Sequence, residues 1–460
     1  MVFPIVGGTQ STGYDISNSL KFNDDDSSLL SRTPGTTATD RKKATISFWF
    51  KIGNITDSFR SLYRFNDGSG TGAVYLRSGN DLQFAWEASS SNIDVRPNGV
   101  FRDPTAWYHA FIRFDTTQST AADRVEIYIN GVERTYSTAN YPNQNDTVNH
   151  LTSDKTYYIG GDGQSSDKYF DGYIAEFNVV DGQAKSHLDF GEFNDNGVWI
   201  PKKYIGTYGN NGFHLEFKQT GTSANSSGIG ADTSGNDNHF TPVGLAAADI
   251  TEDTCTNNFC TLNPLLKSTS NVVLSEGNLK VVLNQTSGWQ HAAGTIAVKS
   301  GKFYWEAKAL NVSATDKTSI GVLQFNTTDV DFIGNTNTDR SSKGISGHGA
   351  GTGSYSYAEG DIIQCAMDLD NNKIYWGKNG TYFGDMDPAA GSGSTTQTIS
   401  NANFCVPVVG GYADSSWEMN FGVPQFSISS GNSDGEYGNF EYAPPSGFYA
   451  LCTKRIAEFG

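Results

Sequence analysis

The sequence predicts an all-β protein built from two antiparallel β-sandwich domains that are joined by a structured connector. Aromatic residues make up 13% of the chain and glycine occurs 51 times, a mixture that suits pleated strands joined by tight turns. Runs that alternate apolar and polar residues recur in both halves, whereas apolar residues at helical spacing are almost absent. At 460 residues the chain is long enough for two or three domains.

Strands are expected wherever these runs are rich in β-branched and aromatic residues. Alternation places Leu82, Phe84 and Trp86 on one face of their strand. In the first half the expected strands are 19–22, 45–51, 82–87, 107–114, 124–129, 157–160 and 172–179. In the second half they are 302–308, 318–323, 361–368, 373–378, 404–409 and 417–422.

Each half also contains a hairpin signal. Alternating runs within 361–378 are followed by Asn379-Gly380, and similar runs within 107–129 are followed by Asn130-Gly131. Asn-Gly readily adopts the positive φ angles that a two-residue turn requires. We therefore expect antiparallel hairpins at both places.

The chain divides into four predicted segments. Residues 1–15 form an extended N-terminal arm, which either adds a strand to a neighbouring copy or forms a loosely packed first strand. The first sandwich covers 16–200 and the second covers 271–460. Between them, 201–270 is a connector with short strands, predicted to be ordered because it keeps aromatic residues such as Phe213.

Charge and targeting signals restrict the partners. The net charge of -17 argues against binding to nucleic-acid backbones and to anionic membranes, which repel such a surface. The alternative is that the charge only keeps the protein surface solvated. No segment has the length and apolar character of a membrane span, and the N-terminus lacks the features of a secretion signal. We expect neither nucleic-acid binding nor membrane insertion.

The five cysteines are predicted to be free thiols. They are sparse and odd in number, and no Cys-x-x-Cys spacing suggests a zinc site. Cys365 alternates with Ile363 and Met367, so it is expected to face a core as a small apolar side chain.

No catalytic set is recognisable, and we predict that the protein is not an enzyme. Glycanases need paired carboxylates beside one bond, but the segment Glu176-Phe177-Asn178 keeps one acid and lacks its partners. No His-Glu-x-x-His pair is present. The segment 344–349 misses the nucleophile-elbow spacing because His348 stands where glycine is required. We expect no cofactor.

Calcium is the metal with the strongest candidate ligands. Asp24, Asp25 and Asp26 follow Asn23, and a second acidic cluster lies at 368–372. Neither has the glycine and twelfth-position glutamate of an EF-hand. Charged turn residues are therefore the alternative explanation for both clusters.

Carbohydrate recognition requires aromatic faces beside polar groups in a largely preformed site. The candidate loops are 65–72 in the first half and 345–357 in the second, where His348, Tyr355 and Tyr357 cluster. The alternative is that Tyr357 closes the core. The same loops are equally suited to a protein partner.

Residues 271–452 resemble a SPRY domain. The resemblance rests on matching phrases in the family's order: Gly301-Lys302-Phe303-Tyr304-Trp305-Glu306, Gly360-Asp361-Ile362, Asp368, Ile374-Tyr375-Trp376 with Asn379-Gly380, Pro407-Val408-Val409, Asn420-Phe421-Gly422 and Pro445-Ser446-Gly447-Phe448. It implies a β-sandwich whose loops bind partners.

Residues 18–180 resemble a laminin-G-like, concanavalin A-like jelly roll. The matching phrases are Thr45-Ile46-Ser47-Phe48-Trp49-Phe50, Trp107-Tyr108-His109, Ile127-Tyr128-Ile129-Asn130-Gly131 and Gly172-Tyr173-Ile174-Ala175-Glu176-Phe177. The resemblance implies a second jelly-roll sandwich of the lectin type.

The tandem of the two folds, with the segment 195–204 between them, resembles virion structural proteins of marine tailed bacteriophages. This implies a virion location on the capsid or tail, contact with other virion proteins in symmetric copies or a homo-oligomer, and adhesion to carbohydrate or protein of the host surface. One alternative is a purely architectural capsid decoration or tail scaffold. Another is a polysaccharide-degrading spike with an active site at a subunit interface.

Overall fold

A computed structural model describes most of the chain and divides it into two compact units. The N-terminal unit spans Ser11–Thr256, and the C-terminal unit contains Asn257–Gly460. The predicted N-terminal arm lies almost entirely outside the described residues. These are 13–55, 58–66, 71–163, 168–284, 290–312, 318–325, 342–346, 357–393, 396–400, 402–411 and 414–460.

The N-terminal unit consists of strands joined by turns, with short 3₁₀ turns at Ala122–Arg124, His187–Asp189 and Ala247–Asp249. Its strands are β1 (Ser19–Phe22), β2 (Leu29–Arg32), β3 (Lys43–Ile52), β4 (Arg60–Asn66), β5 (Thr71–Leu76), β6 (Leu82–Glu87), β7 (Asn92–Pro97), β8 (Tyr108–Asp115), β9 (Val125–Ile129), β10 (Val132–Glu133), β11 (Tyr136–Asn140), β12 (Thr156–Ile159), β13 (Gly172–Asp181), β14 (Gly191–Phe193), β15 (Trp199–Pro201), β16 (Phe213–Leu215), β17 (Thr241–Val243) and β18 (Ile250–Thr251).

The C-terminal unit is also built from strands and ends in the helix α1 (Thr453–Phe459). Its strands are β19 (Leu262–Lys267), β20 (Val272–Ser275), β21 (Lys280–Leu283), β22 (Gln290–Gly294), β23 (Lys302–Asn311), β24 (Thr318–Phe325), β25 (Ser342–Ser346), β26 (Ile362–Asp368), β27 (Lys373–Lys378), β28 (Thr381–Tyr382), β29 (Gln397–Thr398), β30 (Phe404–Gly411), β31 (Ser415–Asn420) and β32 (Tyr449–Ala450). The all-β prediction is confirmed.

Two sheets enclose the core of the N-terminal unit. The first sheet has the strand order β10-β9-β8-β3-β13-β1-β18, with β16 also paired to β13, and the second has the order β11-β7-β6-β5-β4-β12-β2-β17. Leu82, Phe84 and Trp86 are all buried in this core, as the alternation predicts. Phe48 of β3 stacks on Phe177 of the neighbouring strand β13 at 4.8 Å between ring centroids, and both rings belong to this core.

Residues 201–256 belong to the N-terminal unit and do not form a separate connector. The short strands β16, β17 and β18 pair with β13, β2 and β1, respectively. The boundary between the compact units falls at Thr256 and Asn257, inside the predicted connector. Strands of two or three residues gain their stability from the sheet that they join, and such short segments carry little strand pattern of their own.

The two hairpin predictions are confirmed at the level of the turns. Asn130 and Gly131 have φ angles of 50° and 73° between the paired strands β9 and β10. Asn379 and Gly380 have φ angles of 49° and 87° between β27 and β28. Positive φ at both central positions is the geometry that favours Asn-Gly in tight hairpins.

Two sheets also enclose the core of the C-terminal unit. Their strand orders are β19-β22-β30-β24-β25 and β20-β21-β31-β23-β26-β27-β28, with β29 added to β27 and β32 added to β23. Cys365 lies fully buried in this core, as predicted. All five cysteines are free thiols.

Two buried histidines make the N-terminal unit sensitive to acid. His109 accepts a hydrogen bond at Nδ1 from Trp199 Nε1 at 3.1 Å and contacts Ser47 Oγ through Nε2 at 2.9 Å. The ring of His150 packs against Trp86 at a centroid distance of 5.2 Å. Burial lowers the pKa of both histidines to about 3.

Lowering the pH from about 6.5 to 4 is therefore expected to destabilise the N-terminal unit. In this range the unfolded chain binds a proton at each histidine and the folded unit does not. The free energy of unfolding therefore falls by about 1.4 kcal/mol per pH unit for each histidine. Urea denaturation at a series of pH values measures the slope of this free energy against pH. His150→Leu should remove one histidine's share of it, and an unchanged slope would contradict the assignment.

Candidate functional site

The outer face of the first sheet is covered by aromatic side chains. Trp49 and Tyr173 lie on the side of their strands away from the main core and pack with Trp107 and Trp199. Trp199 also donates its indole hydrogen to His109. A neighbouring cluster on this sheet is formed by Phe111, Val180, Phe190, Tyr204 and Tyr208. Over the described residues, packing therefore closes much of this face to a polymeric ligand.

The outer face of the second sheet carries polar and aromatic groups instead. Tyr75 lies opposite Gln83 across β5 and β6, and Ala85 lies opposite Asp94 across β6 and β7. Tyr75, Asp94 and Arg96 are partly exposed. We call Tyr75, Gln83, Asp94 and Arg96 the tyrosine platform.

Hydrogen bonds hold the polar part of the tyrosine platform together. Asp94 Oδ1 accepts from Gln83 Nε2 at 2.8 Å and from Arg96 Nε at 2.9 Å, while Asp94 Oδ2 accepts from Arg96 Nη2 at 2.6 Å. A bidentate guanidinium–carboxylate pair has a fixed planar geometry. The platform therefore presents its polar groups in a preformed arrangement.

The ring of Tyr75 is held by its neighbours. The guanidinium of Arg64 lies 5.8 Å from the ring centroid, and Phe59 meets the ring edge-on at 5.7 Å. Arg64 Nη1 in turn donates to Asp162 Oδ2 at 2.6 Å. Burial raises the pKa of Tyr75, so its hydroxyl is neutral and can both donate and accept.

A second group of polar side chains was not predicted from the sequence. Glu176 of β13 meets His214 of β16 and Glu216, which directly follows β16. One potential ligand atom from each residue lies within 4.8 Å of the others. Glu176, which has no acidic partner nearby in the sequence, thus has partners in space, because His214 lies 38 positions further along the chain.

The calcium candidates lie in the turn between β1 and β2. Asn23 Nδ2 donates to Asp26 Oδ2 at 3.0 Å, and Asn54 Nδ2 lies 3.4 Å from Asp24 Oδ2. Burial and the charge of Asp25 raise the pKa of Asp24. In the described part of the chain, these acids are not among three closely grouped His, Cys, Asp or Glu side chains. Calcium binding by Asp24, Asp25 and Asp26 stays a prediction.

The ligand candidates of the C-terminal unit are only partly described. His348 and Tyr355 lie outside the described residues. Tyr357 is 3% exposed, packs on Trp417 and donates its hydroxyl to the carbonyl of Thr318 at 2.6 Å. This burial supports the alternative that Tyr357 closes the core. In the other candidate loop, Phe65 is a core residue and 67–70 lie outside the described residues.

Part of the N-terminal unit matches the model of a known family. Residues 23–187 match the family model of the concanavalin A-like lectin/glucanases superfamily. This match confirms the predicted concanavalin A-like, laminin-G-like fold for that part of the chain. No similar protein was found among curated sequences.

Solved structures that match parts of this chain include a SPRY domain and a pentraxin. The SPRY domain of human HERC1 is 19% identical over 34% of this chain and 96% of that chain, with a TM-score of 0.27. The heptameric SAP-like pentraxin from Limulus polyphemus is 14% identical over 38% of this chain and 80% of that chain, with a TM-score of 0.29.

Among the described residues, no helix has the length and apolar character needed to cross a bilayer. The regular structure is instead dominated by antiparallel sheets in both units. The chain is an all-β protein whose residues 23–187 match the concanavalin A-like lectin/glucanases superfamily.

Proposed function

We propose that this protein is a non-enzymatic binding protein whose N-terminal unit binds carbohydrate at the tyrosine platform. The observation that carries the proposal is the juxtaposition of Tyr75 with the hydrogen-bonded side chains of Gln83, Asp94 and Arg96 on one sheet face. An aromatic ring offers an apolar surface to the C–H face of a sugar, and planar polar side chains bind its hydroxyls in defined directions.

Preorganisation supports binding at this surface. Arg96 uses its Nε and Nη2 groups to hold Asp94, and a guanidinium has five N–H donors in all. Tyr75 is fixed by Arg64 and Phe59 before any ligand arrives. A ligand therefore loses little affinity to the ordering of these side chains.

The charges on this face favour binding over catalysis. Asp94 is paired with Arg96, and Asp162 is paired with Arg64. A glycosidase needs two carboxyl groups that are free to act on the two sides of one bond. Both oxygens of Asp94 are engaged by Gln83 and Arg96, and Asp162 accepts from Arg64.

We also propose that the protein is displayed on the capsid or tail of a tailed-phage virion. The tandem of concanavalin A-like and SPRY-like motifs along the chain supports this location. The net charge of -17 is compatible with a solvated particle surface. In this proposal symmetric copies contact other virion proteins and adhere to host-surface glycans. Mass spectrometry of purified virions tests the location: peptides of this chain are expected, and their absence would refute it.

Tyr75→Ala is expected to weaken glycan binding at least about tenfold, which corresponds to about 1.4 kcal/mol, because the stacking surface is lost. Arg96→Gln should weaken binding through loss of the bidentate pair with Asp94. A glycan array identifies the best ligand, and titration calorimetry with that glycan measures the change. Tyr141→Ala, a partly buried tyrosine outside the platform, is the matched control.

Three results would count against the proposal. Equal losses in Tyr75→Ala and Tyr141→Ala would show that the platform is not the contact surface. Absence of binding to any glycan would remove carbohydrate as the ligand class. Release of reducing ends from a bound polysaccharide by the intact protein would refute the non-enzymatic assignment.

A further inference from the structure

The group formed by Glu176, His214 and Glu216 lies on the first sheet, apart from the tyrosine platform. In the β13–β16 pairing, His214 lies opposite Asn178, within two residues of Glu176. Side chains two residues apart in an extended segment point to the same side, so His214 and Glu216 both face Glu176. Glu176 itself sits where the β3–β13 register shifts and has a φ angle of 51°.

The three side chains and Tyr14 form a compact polar cluster. His214 Nε2 lies 2.7 Å from Glu176 Oε1, and the Tyr14 hydroxyl lies 3.2 Å from Glu176 Oε2 and 3.5 Å from Glu216 Oε1. The side chains of His214 and Glu176 are only 6% and 7% exposed. The carboxylates are therefore largely removed from water, which raises the cost of leaving their charge uncompensated.

The other ring nitrogen of His214 contacts Thr233. Nδ1 lies 3.0 Å from Thr233 Oγ1, and that hydroxyl lies 3.3 Å from the carbonyl oxygen of His214. A hydroxyl both donates and accepts, so Thr233 can accept from Nδ1–H when Nε2 binds a metal ion.

Three potential metal ligands converge on one point in this cluster. One ring nitrogen of His214 and one carboxylate oxygen from each of Glu176 and Glu216 lie within 4.8 Å of one another. One imidazole and two carboxylates supply three ligands of types that zinc accepts, and catalytic zinc sites likewise have three protein ligands.

We propose that Glu176, His214 and Glu216 bind a zinc ion. Zinc accepts nitrogen and oxygen ligands at about 2.0–2.2 Å in tetrahedral geometry, which brings ligand atoms to about 3.4 Å from one another. The present separations of up to 4.8 Å require only small side-chain movements. Calcium fits less well because it takes six to eight oxygen ligands.

Neighbouring groups suit such a site. Thr233 Oγ1 lies 3.0 Å from Nδ1 and can accept the Nδ1–H hydrogen when Nε2 binds the ion, as partners of metal-binding histidines generally do. Lys218 Nζ lies 3.0 Å from Glu216 Oε1. When zinc binds, this hydrogen bond either breaks or the oxygen contacts both the lysine and the ion. Tyr14 is placed to donate to a carboxylate beside the metal or to a water in the fourth position.

Zinc titration of the chelator-treated full chain tests the proposal. Calorimetry is expected to give one zinc ion per chain, with a higher melting temperature in zinc. Co²⁺ substituted for zinc should give a visible absorption of tetrahedral intensity. His214→Gln and Glu216→Gln are expected to lose at least tenfold in zinc affinity together with the cobalt absorption, and Thr233→Val should weaken binding about tenfold.

The controls separate the site from surface binding and from unfolding. His187→Gln and Glu192→Gln leave the cluster intact and should bind zinc as the unaltered chain does. If His214→Gln does not fold, Glu216→Gln carries the test, because Glu216 is less buried. Two outcomes overturn the proposal: zinc affinity that is unchanged in the Glu216 variant, or NMR spectra in saturating zinc that show protons on both ring nitrogens of His214.

Discussion

Replacing Asp253 with alanine is expected to lower the free energy of unfolding of the N-terminal unit by about 3–5 kcal/mol. Asp253 Oδ2 lies 2.8 Å from Lys51 Nζ, and the two side chains are 0% and 1% exposed. Asp253 Oδ1 also accepts from Trp107 Nε1 at 3.2 Å. The substitution removes the Asp253 carboxylate from beside the buried Lys51 charge, and this accounts for most of the expected loss.

A double substitution separates this cost from the net contribution of the pair. Lys51→Met combined with Asp253→Leu replaces both charges with apolar groups, and such exchanges are often neutral or stabilising. We therefore expect it to recover much of the loss. The control is Glu192→Ala, which breaks an exposed pair with Lys202 and should cost less than about 1 kcal/mol.

Hydrogen exchange in peptides of β3 and β13 measures the stability of the N-terminal unit in each variant. Faster exchange in Asp253→Ala than in Glu192→Ala is the expected result. Equal exchange in the two variants would show that the buried pair does not have the assigned role.

Local sequence signals predict the strands and turns of this protein well. The alternation in β6 puts Leu82, Phe84 and Trp86 in the core, and the same alternation places Gln83 on the opposite face. Each Asn-Gly pair forms the turn that its preference for positive φ predicts. These signals are local because a side chain's face and a turn's φ angles depend on a few neighbouring residues.

The candidate sites depend on contacts between distant parts of the chain. Tyr14 and Glu176 are 162 residues apart, and Glu176 and His214 are 38 apart. Only the pairing of β13 with β16 brings Glu176 and His214 together. The spacing of His214 and Glu216 by two residues is the available signal, because it puts both side chains on one face of an extended segment. It does not identify Glu176 as the third member.

The end of the N-terminal unit was hard to locate for a related reason. Residues 201–256 contain strands of only two or three residues, and many glycines, serines and asparagines separate them. Their place in the sheets is fixed by pairing with β1, β2 and β13. A composition typical of a connector therefore belongs to an integral part of the first sandwich.

Replacing Glu306 with alanine is expected to lower the free energy of unfolding of the C-terminal unit by about 3–5 kcal/mol. The fully buried carboxylate accepts four hydrogen bonds, two at each oxygen. Oε1 accepts from the Tyr304 hydroxyl at 2.9 Å and from the Tyr442 amide at 2.7 Å. Oε2 accepts from the Glu441 amide at 3.0 Å and from Asn420 Nδ2 at 3.1 Å. Alanine leaves all four donors without this acceptor. The control is Glu359→Ala at an exposed position, which should change the free energy of unfolding little.

The same residue gives the C-terminal unit a pH dependence. Burial raises the pKa of Glu306 to about 7, although its four hydrogen-bond donors oppose the shift. The folded unit therefore binds more protons than the unfolded chain between about pH 4.5 and 7, so stability falls by up to about 3 kcal/mol as the pH rises through this range. Burial lowers the pKa of His291 to about 3, so this histidine makes stability rise with pH below pH 6.5.

The contribution of Glu306 is isolated by a second variant. Glu306→Gln cannot ionise at this position, so its plot of unfolding free energy against pH is subtracted from that of the unaltered chain. A difference in hydrogen-exchange stability that stays constant from pH 4.5 to 7 would mean that Glu306 ionises in the folded unit as it does in water.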